Sequence, residues 1–298
     1  MKAKHKHIRL ELFCRLFGVT RQSNYQYFKN NQTLNLKQEL VIQRVNQIRA
    51  SHYRIGTRKL FELMKPFLIE NDIKIGRDAL FNLLGANQLL IRKRIRKVNT
   101  TYSQHWMRKW PNLIKGRVTN RPNQLWVSDI TFWKVADKFL YISLITDAYS
   151  KKVVGYSLAP TLEQKSTCRA LMMAINNNSN YDDLTHHSDR GVQYCSHDYI
   201  KILKRNNILI SMTENGDPRE NAIAERINGI LKHEYLLRYK PKNIKQAEFI
   251  LQKAVLLYNH ERPHLSISLL TPEHVHSTNT KTQRKWKNYF NTKTVKLF

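Results

Sequence analysis

NQLWVSDITFWKV, residues 123 to 135, is where the texture of the chain changes. Upstream of it, apolar residues recur at helical spacing. Within it, Trp, Val, Ile, Thr and Phe crowd into a run of strand composition. An acid, Asp129, stands in the middle. A carboxylate is costly to bury in such a strand unless something pairs with it. Asp129 is therefore either a strand-edge acid or a residue with a task.

Working downstream, KFLYISLITDAYS and KKVVGYSLA read as two more strands joined by a turn at Ser150–Lys152. LEQKSTCRALMMAINNN has helical period. DDLTHHSDRG reads as a short strand ending in a polar loop. SHDYIKILKRNNI is helical and LISMT is a strand. ENGDPRENAIAERINGILKHEYLL is a loop and then a long helix, and NIKQAEFILQKAVLLYNHERPH is a final helix. The order β-β-β-α-β-α-β-α-α describes a mixed sheet with helices packed on it, an α/β fold.

Upstream, residues 8 to 29 read as helix, turn, helix. Leu12, Phe13, Leu16 and Phe17 supply the apolar positions, Gly18 the turn, and Thr20 the cap of the second helix. That second helix presents Arg21, Gln22, Ser23, Asn24 and Gln26, which suit contact with phosphates or base edges; an ordinary helical hairpin reads equally well. Residues 35 to 98 read as a second small helical module, punctuated by Gly56, Pro66, Gly76 and Gly85. It ends in IRKRIRKV, where Arg92, Lys93 and Arg94 open a run of five cations between Arg92 and Lys97. Such a run is a solvated face or a phosphate track. The segments that follow from this reading are a helix-turn-helix-like stretch at 1–34, a helical DNA-binding module at 35–98, a linker at 99–120, a core at 121–276 and a basic tail at 277–298.

The chain carries 51 Lys+Arg against 22 Asp+Glu, a formal charge of +29 in 298 residues. Charge of that size, spread along the whole length, points to a polyanion, with nucleic acid ahead of a membrane surface. No apolar run approaches the roughly 20 residues that span a bilayer, and no secretion signal opens the chain. An intracellular, cytoplasmic setting is expected. Cys14, Cys168 and Cys195 are widely spaced and form no C-x-x-C pair, which argues against a disulfide framework or a structural zinc site.

Two further acids join Asp129. Asp189 follows a strand, and on its own is a turn former before Gly191. Glu225 lies in RENAIAERINGILK, a helix that Asp217, Pro218 and Glu220 would start with a capping-box pattern. At 100° per residue Ile223, Ile227 and Ile230 line one face, while Asn221, Glu225 and Lys232 point away from it. Gly229 leaves a notch one turn after Glu225. Taken alone, Glu225 is a solvated surface acid. Asp189 and Glu225 have 35 residues between them. Acids on a first strand, after a later strand and on a following helix can converge at one end of a mixed sheet. Three carboxylates there suit two divalent ions about 3.5–4 Å apart, the arrangement of phosphoryl transfer. Oxygen-only donors favour Mg²⁺ or Mn²⁺.

Taken in order, WVSDIT, HHSDRGVQY, ENGDPRENAIAERINGILKHE and YNHERPHLSISLLTPEH resemble the catalytic core of bacterial insertion-sequence transposases, family three, second-frame product. The resemblance extends more weakly to CRLFGVTRQSNYQYF and RIGTRKL. It implies a ribonuclease-H-like, integrase-like core and a D…D-x35-E metal triad, here Asp129, Asp189 and Glu225. It implies Mg²⁺ or Mn²⁺, two ions, as cofactor. It also implies cleavage and strand transfer of double-stranded DNA at the element's terminal inverted repeats and at a target, a homo-oligomer on DNA, and an upstream-frame helix-turn-helix partner. His187, Ser188, Arg190, Asn221 and Lys232 match motif positions and are expected to orient ligands or touch DNA. Arg262 and His264 are possible phosphate contacts. Asp147 is expected to be structural, and Asp182, Asp183, Glu214 and Asp217 to be loop or capping acids. Two other readings stay open: a DNA-binding repressor without catalysis, and a ribonuclease-H-like nuclease acting on RNA–DNA hybrids.

Overall fold

The computed structural model describes residues 10–91, 106–135, 138–178, 182–214 and 218–283. The chain opens with α1 (Leu10–Leu16) and a turn at Gly18, whose φ of +65° is left-handed and suits glycine. Thr20 then caps α2 as expected, its hydroxyl accepting the Ser23 N–H at 3.0 Å. α2 does not stop at residue 34. It runs from Arg21 to Ser51 as one helix, across the position where two segments were expected to divide. The physical reason is plain, since neither Gly nor Pro occurs between Gly18 and Gly56.

Gly56 and Gly76 cap α3 (Thr57–Glu70) and α4 (Arg77–Ala86). The second half of α2 packs on both. Val41, Val45, Leu60, Met64, Leu80 and Leu84 form their shared core. The cations Arg92, Lys93 and Arg94 lie outside the described residues.

The sheet follows. β1 (Leu125–Val135), β2 (Lys138–Asp147) and β3 (Val153–Ala159) form an antiparallel meander. α5 (Gln164–Asn176) then leads to β4 (Thr185–Ser188), which pairs parallel to β1. The short α6 (Val192–Cys195) and α7 (His197–Arg205) lead to β5 (Leu209–Met212), parallel to β4. The strand order is β3-β2-β1-β4-β5, so the predicted mixed sheet is present and its arrangement is ribonuclease-H-like. After it come α8 (Ala222–Ile230), α9 (Ile244–His260) and α10 (Pro272–Thr278).

Strand alternation divides the core into two faces. Trp126, Ile145 and Val154 pack on α5 and α7 through Ala170, Leu171, Ala174 and Leu203. Gly155 is where β3 and α5 touch: a Cβ there would lie 2.2 Å from the Ala170 carbonyl oxygen, so only glycine fits. On the other face Trp133, Leu140, Ile142 and Leu144 pack on α8 and α9 through Ile227, Leu251 and Tyr258. The three cysteines are free thiols. Among the described residues no helix is long and apolar enough to cross a membrane.

The helical region docks on the end of α8. That helix passes into a π-helical turn, Leu231–Tyr235. Tyr235 Oη lies 3.0 Å from His52 Nδ1, just past the end of α2. Glu234 lies 3.8 Å from Lys59 Nζ on α3. Arg238 donates to the Ala50 carbonyl at 2.9 Å.

Candidate active site

Register brings two of the acids together. On the parallel pair β1 and β4, Val127 stands opposite His187. Two residues further along are Asp129, still on β1, and Asp189, one residue past the end of β4; the two strands lie about 4.8 Å apart. Asp189 begins the loop just past β4, and its Oδ1 accepts the Gly191 N–H at 3.0 Å.

Two asparagines bring α8 to the same place. Asn221 Nδ2 donates to the Ser128 carbonyl at 2.8 Å, and Asn228 Nδ2 donates to Asp129 Oδ2 at 2.7 Å. Between them Ala224 packs on Leu125 and Val127. This face of the helix therefore lies along β1, and Glu225, next to Ala224, stands beside it, still open to solvent. Asp129 Oδ1 accepts the Ile130 N–H at 2.9 Å, so each of its oxygens has one donor.

The strand beneath is held from the other side. Ser128 Oγ and Tyr199 Oη lie 2.6 and 2.8 Å from His186 Nε2. Burial pushes the His186 imidazole down to about 3, so it stays neutral and can accept at that nitrogen. The same cause pulls His187 down to about 4 while its Nδ1 meets Ser211 Oγ at 2.9 Å.

The acids feel one another. Burial, and then the neighbouring Asp189 carboxylate, push Asp129 up to about 7 against the opposing hydrogen bonds from Asn228 and Ile130. Glu225 is raised by burial and by Asp189. Carboxylates from three elements thus raise one another, Asp129 and Glu225 each feeling Asp189. Among the described residues no three His, Cys, Asp or Glu side chains already stand close enough to hold a metal ion. The acids are neighbours, but not yet gathered on one point.

The remaining predicted residues divide. Arg21 and Gln22 are exposed at the start of α2 and Asn24 is half-buried there. Arg190 is half-buried beside Asp189. Lys232 Nζ sits 3.7 Å from the ring centre of Phe132. Asn221 is inside, not on a polar outer face; its amide is committed to the Ser128 carbonyl. His187 and Ser188 are buried as well. Arg262 is also inside, and its guanidinium grips Glu234 through bonds of 2.7 and 2.9 Å rather than facing phosphate. His264 is buried and meets Ser266 Oγ. Asp147 is structural, as expected: its oxygens accept from Asn123 N, Ser150 N and Ser150 Oγ. Asp217 lies outside the described residues, and Glu220 accepts the Glu214 N–H at 2.6 Å instead of closing a capping box.

Helical spacing sets Asn228 on the face of Glu225 without giving it a role, and sequence reasoning did not single out Ser128 or His186. A signal existed for Asn228 alone, since it follows Glu225 by three residues, within reach of one helix face.

Comparison with known proteins identifies relatives of the chain. The Integrase core domain family matches residues 119–218, and a second Integrase core domain family matches residues 206–272. The chain is 31% identical over 265 residues to the 31 kDa protein of insertion element IS600 from Shigella sonnei, covering 87% of this chain and 95% of that one. It is 32% identical over 227 residues to the transposase of insertion sequence element IS629 from Shigella sonnei, covering 76% and 74%. Among solved structures, the HTLV-2 integrase catalytic core in complex with magnesium superposes with a TM-score of 0.43 at 23% identity, over 52% of this chain and 97% of that one. With this kinship running through most of its length, the chain belongs to the insertion-sequence transposases that are built on an integrase core.

Proposed function

We propose that Asp129, Asp189 and Glu225 are the catalytic triad of this transposase and bind two divalent ions, Mg²⁺ or Mn²⁺. The observation that carries the reading is the set of like charges on β1, on the loop after β4 and on α8, with Asp129 pushed up to about 7 by burial and by Asp189. The donor set fits such ions: all ligands are carboxylate oxygens, and their mutual repulsion is what a divalent cation relieves. Bound there, the ions supply the charge that activates an attacking oxygen and stabilises a leaving one.

The residues have distinct duties. Asn228 orients the Asp129 carboxylate, Asn221 ties α8 to the backbone just before it, and the neutral His186 anchors Ser128 from below. The reaction is hydrolysis of a phosphodiester at the element end, which frees a 3′ hydroxyl, followed by attack of that hydroxyl on a second phosphodiester. The substrate is double-stranded DNA, the terminal inverted repeats and a target, and the enzyme works as a homo-oligomer in the cytoplasm. Arg21, Gln22 and Asn24 at the exposed start of α2 contribute to reading the repeats, and an upstream-frame helix-turn-helix partner adds to it. Lys232, near the acids, contacts the backbone.

The test is to incubate the full chain with a labelled element end in Mg²⁺ and look for cleaved and joined products. The wild type gives both. Glu225→Gln retains DNA binding and gives neither. Joining by Glu225→Gln at the wild-type rate overturns the assignment.

A further inference from the structure

Phe132 stands three residues past Asp129 on β1 and has no part in the chemistry above. It is 39% exposed, whereas its neighbour Trp133 is fully buried. Phe139 on β2 is 46% exposed and meets it edge to face, with ring centres 5.5 Å apart at 87°. Lys232, seven residues after Glu225, lies over the Phe132 ring. Lys134 and Lys138 are exposed on the same hairpin, and neither they nor Lys232 forms an ion pair among the described residues.

Two partly exposed aromatic rings beside exposed lysines do not suit an apolar protein partner. They match a ligand that is both aromatic and anionic. A nucleotide has those two properties, and flat rings beside cations are how proteins hold unpaired strands, because every base has a π-face. Phe132 lies roughly 10 Å along β1 from Asp129 and by alternation projects from the other face; its contact with Lys232 links the ring to the helical run that carries Glu225.

We propose that Phe132, backed by Phe139, is a stacking seat for an unpaired nucleobase of the DNA strand that enters the site. Lys232 leaves the ring for the adjoining phosphate as the base takes its place. This rests on the transposase reading of the site. Its test reads binding without chemistry, so the two fail separately.

The probe is a duplex carrying a three-nucleotide single-stranded extension, with 2-aminopurine at each unpaired position in turn, mixed with the full chain in EDTA. A blunt duplex of equal length is the reference. The wild type binds the extended duplex about tenfold more tightly than the blunt one and quenches 2-aminopurine at one position. Phe132→Leu, which keeps an apolar side chain without a π-face, loses the preference and the quenching but binds blunt duplex as before. Phe132→Trp restores both. Lys232→Gln lowers the log–log salt slope of binding by about 1. A Phe132→Leu protein that keeps the preference and the quenching overturns the seat and leaves the triad untouched. A wild type that binds the two duplexes equally, or neither, overturns the seat, while the triad stands or falls by the cleavage and joining assay.

Discussion

Glu225 and Glu234 stand nine residues apart on one continuous run of helix, and the fold treats their charges in opposite ways. Glu234 is answered within the chain. Arg262 grips both of its oxygens and Lys59 approaches at 3.8 Å, itself pulled down to about 8 mainly by burial. Burial, and then Asp189, raise Glu225 and make its protonation easier, not harder. An acid that serves structure is compensated where it stands. The acid proposed for chemistry, Glu225, is instead set beside another carboxylate, Asp189.

The sharpest way to break this contrast is to remove one charge from each side. Asp189→Asn should lower DNA cleavage about a thousandfold or more, the loss of roughly 4 kcal/mol of transition-state stabilisation. Its unfolding by urea should stay within about 0.5 kcal/mol of wild type. Glu234→Gln should do the reverse in kind. It strands Arg262 in the interior without a counter-charge and should cost about 3–5 kcal/mol of stability. Circular dichroism during urea titration measures both. Equal destabilisation by the two substitutions would erase the distinction.

A smaller effect sharpens it through its sign. The folded protein raises Asp129 above its ordinary range, so the native state binds that proton more readily than the unfolded state. Stability from this group is complete below about pH 4 and is lost as pH rises through about 7. In metal-free buffer Asp129→Asn should therefore stabilise the protein by about 2 kcal/mol at pH 8, with the gain vanishing near pH 4. Melting curves across that range check it, and a gain independent of pH would contradict it.

The smallest effect concerns Gly229, one turn past Glu225. A Cβ there meets nothing within 4 Å. Gly229→Ala should add about 0.5–1 kcal/mol of stability. A large residue, Gly229→Trp, should keep the fold but slow strand transfer by filling the space where substrate approaches. Full activity in Gly229→Trp would show that DNA passes elsewhere.

Much of this was legible in the sequence because it rests on local periodicity. The meander, the crossover helices and the positions of the three acids follow from strand alternation and helical spacing. What depends on a distant partner was not legible. A helical wheel sets Asn221 apart from the isoleucine stripe, but it cannot show that β1 covers that side too. Arg262 reads as a phosphate contact until Glu234, 28 residues earlier, is found beside it. The unbroken α2 was within reach, since the absence of Gly and Pro over its length is a sequence fact. The polar stretch around Asn30 and Asn31 hid it.

That long helix has a mechanical consequence. Its 31 residues make a rod of roughly 46 Å. One end is seated on the core at His52, while the other carries α1 and the exposed Arg21 and Gln22. A rod held at one end is a lever. A tilt of about 10° at the seat displaces the far tip by about 8 Å, more than two base-pair steps of roughly 3.4 Å. The few bonds around His52, Lys59 and Arg238 thus set where the far tip of α2 points, and their stiffness limits how closely that tip is held relative to the core.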